Sequence, residues 1–166
     1  MRRVYGVVAA GPCFDCCSLG CSFGLRNRTE HSAPLSSSST SALEIDELID
    51  AALDTTAKCL HFSVGKVSSD PAILKHGGAA NCIGYAALFK AILQKELSSS
   101  GHADTYVVEH VIGQLHIGDW NMHSAFNSPF WKDHDIVRIT DGRIGSVIYV
   151  DPTLYDAFGI GRVSGP

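Results

Sequence analysis

The sequence predicts an α+β domain in which a buried helix packs on an antiparallel sheet. Three observations carry that prediction. The chain changes character midway, from segments with helical apolar spacing to runs rich in β-branched and aromatic residues. The stretch 82–97 is apolar on almost every face, interrupted mainly by Lys90 and Gln94, and a helix of that kind is a buried one. The apolar runs 105–117, 135–140 and 145–150 follow one another across turn signals, as consecutive strands do.

In chain order, the first forty residues do not read as core. They carry four crowded cysteines, Cys13, Cys16, Cys17 and Cys21, and the serine run 36–39. Zinc sites usually set their ligand pairs about a dozen residues apart, so four thiols in so short a segment do not suggest a metal centre. The serine-rich stretch reads as a linker, giving a poorly ordered segment 1–41 and one domain over 42–166. A supporting helix is expected over 42–61, capped by Thr40 or Ser41. Glu44 and Asp46 would lie in its first turn, and Leu43, Ile45, Leu48, Ile49, Ala52, Leu53 and Leu60 would form its apolar stripe.

Turn signals at Gly65, Asp70-Pro71 and Gly77-Gly78 mark the next connection, with a helical turn at 71–75. The buried helix begins at Cys82 and stops at the serine and glycine cluster 98–101. A long strand over 105–117 has Gly113 as a bulge. The loop 118–132 carries Trp120 and Trp131, which would cover one end of the sheet. The last two strands, 135–140 and 145–150, flank an Asp141-Gly142 turn and end at Asp151-Pro152.

Composition narrows the function. The chain has 166 residues, 45% of them hydrophobic and 18% charged, which suits a single packed domain. A net charge of −4 gives no electrostatic case for nucleic acid or an anionic membrane surface. No apolar run approaches the roughly 20 residues of a membrane span. The apolar stretch after Met1-Arg2-Arg3 is short and contains Tyr5 and Gly6, so a cytoplasmic location is expected, with export as the alternative.

The chemistry gathers at Cys82. A cysteine at a helix N-terminus meets free N–H groups and the positive end of the dipole, which favour thiolate over thiol. Such a nucleophile needs a base and a group that orients the base. His134 stands at the start of the final hairpin and Asp151 at its end. Side chains alternate faces along a strand, so the loop decides whether the two meet. A four-residue loop over 141–144 sets His134 directly opposite Asp151. A two-residue loop over 141–142 leaves them one diagonal step apart on the same face. A three-residue loop would separate them. Directly opposite Cβ atoms lie about 5 Å apart, within reach of a hydrogen bond between the two side chains. The acidic neighbours Asp133 and Asp135 are expected to raise the proton affinity of His134.

These residues resemble the transglutaminase-like superfamily of papain-like cysteine enzymes. The matching stretches are Asn81-Cys82-Ile83-Gly84-Tyr85-Ala86, then Asp133-His134-Asp135-Ile136-Val137, then Tyr149-Val150-Asp151-Pro152-Thr153. In this chain Asp135-Ile136 replaces the Ala-Trp that often follows the histidine, and Ala80 stands where glycine is usual. The resemblance covers roughly 42–157. It implies a papain-like, transglutaminase-core fold and acyl transfer at amide bonds of a peptide or protein. Cys82 would be nucleophile, His134 base and acid, and Asp151 orienter. Hydrolysis is favoured over transamidation for a small stand-alone domain. No cofactor or metal is expected.

His123 is a second candidate for the base. His110 and His116 share a strand face at even spacing, and partly exposed strand positions are expected for them. Cys59 reads as a small core residue. An oxyanion hole would take the Cys82 N–H as first donor, with His76 or Gln114 as second. The rival reading is a binding or scaffold domain that keeps the fold without turnover.

Overall fold

The computed structural model describes residues 3–7, 37–117, 120–121 and 133–165. The four N-terminal cysteines, His123 and Trp131 lie outside the described residues.

Helix α1 (Ser37–Cys59) starts in the serine run rather than after it. Serine carries only a small helix penalty, and extending a formed helix costs far less than nucleating one. Glu44 and Asp46 therefore lie beyond the first turn. Ile45, Ile49, Ala52 and Leu53 are buried along its inner face, with Leu48 packed beside them.

Strand β2 (Leu60–Phe62) leaves α1 directly, and β3 (Gly78–Ala80) pairs with it in parallel. Between them lies α2 (Pro71–Leu74), whose first turn is capped when the Asp70 carboxylate accepts from Ala72 N–H at 2.9 Å. Gly77 and Gly78 sit at φ of 93° and 144°, which glycine adopts readily and other residues rarely do. A short parallel pair has no alternating pattern long enough to be read from sequence. Its effect is to fix the chain just before Cys82.

Helix α3 (Cys82–Ser99) buries Cys82, Tyr85, Ala86, Leu88, Phe89, Leu93 and Leu97. Asn81 caps it, its side chain accepting from Gly84 N–H at 3.2 Å. A Cβ at Gly84 would lie 2.9 Å from the Ala80 Cβ and 3.2 Å from the Ser68 carbonyl oxygen. The first turn thus approaches its surroundings more closely than alanine permits.

The sheet has β1 (Arg3–Val7), β4 (Tyr106–Ile117), β5 (Trp120–Asn121), β6 (His134–Asp141), β7 (Val147–Val150) and β8 (Arg162–Ser164). Its order is β1-β8-β7-β6-β4-β5, and β1 also pairs with β4, closing five strands into a ring. Every pairing is antiparallel except β1 with β4. The residues 3–7, expected to lie outside the domain, form the strand that closes this ring. Helix α4 (Pro152–Phe158) links β7 to β8 and ends at Gly159 in the left-handed conformation.

The two faces of the sheet bury different clusters. Val108 of β4, Val137 and Ile139 of β6, and Val150 of β7 pack under Phe89 and Leu93 of α3. Leu115, Ile136, Leu154 and Val163 pack on the other face. The fold is α+β with a largely antiparallel sheet, and α3 lies between α1 and that sheet. Among the described residues no helix is long and apolar enough to cross a membrane.

Two local expectations differ from the structure. Gly113 is not a bulge: the β4–β6 register runs without a break from Tyr106↔Asp141 to Gly113↔His134. The β6–β7 loop has four residues, but it spans 142–145. Thr140 faces Val147, and Asp141 N–H donates to the Ser146 carbonyl at 2.9 Å. Asp141 stays in the strand because its carboxylate is engaged by the backbone N–H and the guanidinium of Arg143.

Candidate active site

Three elements converge on Cys82. The β2–β3 ladder delivers the chain to the start of α3, and Ser63 N–H donates to the Ala80 carbonyl at 2.8 Å to secure it. Strand β6 begins beside the helix at His134. Strand β7 ends at Val150, and the next residue, Asp151, caps α4.

The displaced loop changes the register by one step on each strand. Val137 faces Val150, so Asp151 falls opposite Ile136, and His134 lies one diagonal step away. The parity argued from sequence survives, because the loop still has an even number of residues. His134 Nε2 lies 2.6 Å from Asp151 Oδ2. Asp151 is fully buried. Its other oxygen, Oδ1, accepts from Thr153 N–H and Leu154 N–H, each at 3.0 Å. Asp151 is therefore itself oriented by a helix terminus. Pro152 supplies the first helical residue without needing an acceptor for an N–H.

With Nε2 directed at Asp151, Nδ1 is the ring atom left for Cys82. Burial lowers the proton affinity of His134. The charge and hydrogen bond of Asp151, followed by the hydrogen bond and charge of Cys82, overcome this and push its pKa up to about 10. The raised affinity comes from those two partners. Asp135 turns elsewhere.

Asp135 has partners of its own on the other face of the strand. Consecutive strand residues point to opposite faces, His134 with Ile136 and Asp135 with Val137. At the end of β6 the Cys82 sulfur meets both. Its thiol donates to Asp135 Oδ2 at 3.6 Å. Asp135 Oδ1 lies 2.6 Å from Nε2 of His110 on β4. Cys82 thus stands between two histidine–carboxylate pairs. The sequence placed His110 on a partly exposed strand position, where it lies, and gave it no partner.

Other candidates are placed as follows. His76 is exposed in the turn after α2, four residues ahead of the β3 end. The Gln114 side-chain carbonyl accepts from Asn121 at 3.1 Å. Neither is shown at Cys82. The Cys82 N–H opens the helix, where no intrahelical acceptor exists for it. Cys59 is a free, half-buried thiol against the cluster around Tyr85 and Leu88. Trp120 is largely exposed on β5 rather than covering the sheet. Among the described residues no three histidine, cysteine, aspartate or glutamate side chains are grouped to hold a metal.

No protein-family model matches the chain, and no curated protein or solved structure matches it either.

Proposed function

We propose that this protein is a thiol-dependent acyl-transfer enzyme acting at amide bonds of a peptide or protein. The observation that carries the reading is the convergence at Cys82 of His134, itself held 2.6 Å from a buried and doubly anchored Asp151. In this reading Nδ1 of His134 takes the thiol proton, and the sulfur attacks the carbonyl carbon. The imidazolium then protonates the departing amine, leaving a thioester on Cys82. Water or a second amine, deprotonated by His134, releases the acyl group. Hydrolysis is the favoured outcome. The order of cysteine, histidine and aspartate along the chain, and the helix–strand–strand elements that present them, fit the transglutaminase-like family and its papain-like core.

Iodoacetamide provides the test. Cys82 of the wild type should alkylate faster than Cys59, and His134→Ala should slow that reaction by about 100-fold, the lower range of what a positioned base supplies. An unchanged rate at Cys82 after loss of His134 would reject the enzyme.

The second reading, a binding domain of the same fold without turnover, draws on the Cys82–Asp135 contact. That contact gives the sulfur a carboxylate partner beside His134, which a nucleophile does not require. A folded wild type whose Cys82 reacts no faster than Cys59 would favour it.

A further inference from the structure

Tyr85 lies one helical turn beyond Cys82 and reaches across to the helix that Asp151 caps. Its ring is fully buried in the cluster formed by Leu60, Leu74, Ala80 and Leu88. Its hydroxyl donates to Asp156 Oδ2 at 2.5 Å, and Asp156 lies on α4. We propose that Tyr85 and Asp156 form a positioning tie that holds α4, and with it Asp151, at a fixed distance from Cys82. The catalytic meaning of this tie rests on the reading of Cys82 as an acyl-transfer nucleophile.

The need for a tie follows from the shortness of α4. A helix of seven residues is too short to sustain itself in water, so its place is set by what grips it from outside. Its N-terminus holds Asp151, because the N–H groups of Thr153 and Leu154 fix Oδ1. Asp151 holds Nε2 of His134 at 2.6 Å, and His134 in turn has a hydrogen bond and a charge interaction with Cys82. From Cys82, α3 runs one turn to Tyr85, and the phenol returns to α4. The contacts therefore close a circuit. His134 bridges α3 and the cap of α4 on one side, and Tyr85 with Asp156 bridges the two helices on the other. Without the second bridge, a shift of α4 is taken up between His134 and Cys82.

The two partners differ in what they have besides each other. Burial, then the hydrogen bond and charge of Asp156, push the Tyr85 phenol up, so it remains a donor. Asp156 is exposed on α4, and water serves its carboxylate when the phenol is removed. The buried phenol has no such recourse, and a buried hydroxyl left unpaired bears its full desolvation cost. Severing the tie at Tyr85 is therefore milder for stability than severing it at Asp156, while the freedom given to α4 against α3 is the same. Tyr155 ties the same helix to Asp54 of α1, but α1 carries no group of the site.

Alkylation of Cys82 by iodoacetamide at neutral pH reads the tie. Tyr85→Phe removes the hydroxyl and keeps the ring. It should slow alkylation by about tenfold, less than the about 100-fold that a misplaced catalytic group can cost. Asp156→Ala should slow it equally while lowering the melting temperature further, because it strands the phenol. Asp156→Asn keeps an acceptor oxygen and should restore most of the rate. In a His134→Ala background Tyr85→Phe should make no further difference, since the tie acts through Asp151 and His134. A loss of stability alone would not depend on His134 in this way. Wild-type rates in folded Tyr85→Phe and Asp156→Ala, or a slowing that persists without His134, would overturn the proposal. Where Tyr85→Phe does not melt cooperatively, Asp156→Ala, altered at the exposed partner, decides the matter. A slowed His134→Ala with indifferent Tyr85 and Asp156 variants rejects only the tie, whereas an indifferent His134→Ala rejects the enzyme.

Discussion

Two histidine–carboxylate pairs flank one sulfur, each joined at 2.6 Å, yet their surroundings differ. In the His134–Asp151 pair the acid gives its second oxygen to two backbone N–H groups at the start of α4. In the His110–Asp135 pair the acid gives its second oxygen to the thiol itself. The acid anchored to backbone reaches the sulfur only through its histidine, whose proton affinity it raises. The acid that touches the sulfur acts on it directly. The histidine–acid distance does not distinguish the two pairs, and the partner of the spare oxygen does.

The largest expected effect would come from breaking the triad pair. Asp151→Ala removes the orienter of His134 and the cap of α4 together. It should slow Cys82 alkylation by about 100-fold and lower unfolding free energy by about 2–3 kcal/mol, the range for a buried acceptor and a lost cap. Asp151→Asn keeps a capping oxygen and removes the charge. It should regain about 1 kcal/mol of that stability while leaving alkylation slow. Equal melting curves for the two variants would mean that the cap contributes nothing.

Next in size is the packing that delivers Cys82 to both pairs. Gly84→Ala places a methyl 2.9 Å from Ala80 Cβ with a backbone carbonyl close behind. Overpacking there should cost about 1–3 kcal/mol in urea denaturation. It should also disturb both pairs at once, because the first turn of α3 carries the sulfur.

A smaller, pH-dependent effect separates the pairs further. The pKa of His134 is raised from 6.5 to about 10 in the folded state. Its protonated form is thus preferentially stabilised by folding. That contribution is complete below about 6.5 and is lost as pH rises through about 10. The stability gap between wild type and His134→Gln should therefore narrow over that window. A gap that widens with pH would contradict the assigned partners.

The smallest effect belongs at the far end of β6. A hydrogen bond from Arg143 holds the Asp141 pKa down to about 2 against the opposing effect of burial. The guanidinium also lies 5.6 Å from the centre of the Tyr106 ring. Arg143 is half exposed, so Arg143→Ala should lower the melting temperature only slightly. Alkylation at Cys82 should not change, and a change would show that the hairpin turn transmits to the site.

The sequence made the His134–Asp151 pair legible because the β6–β7 hairpin is short. With so few loop residues, parity alone settles which side chains share a face, and an error of one residue on each strand left His134 and Asp151 in contact. The Cys82 helix was equally plain from its apolar faces. His110 and Asp135 were hidden by the opposite circumstance. They lie on β4 and β6, and the long stretch between those strands fixes no register that a turn rule can supply. Strands β1, β2, β3 and β8 are three to five residues long, too short to show a period, and they take their structure from their neighbours. Helix α4 announced itself only through Asp151-Pro152, which reads equally well as the end of a strand.

Intact-protein mass spectrometry after brief exposure to p-nitrophenyl acetate tests the central claim most directly. The wild type should gain one acetyl group, located on Cys82 by peptide mapping, and lose it again as the thioester turns over. His134→Ala should acquire it far more slowly. A wild type that is never acylated at Cys82, or is acylated there as fast without His134, would contradict the account.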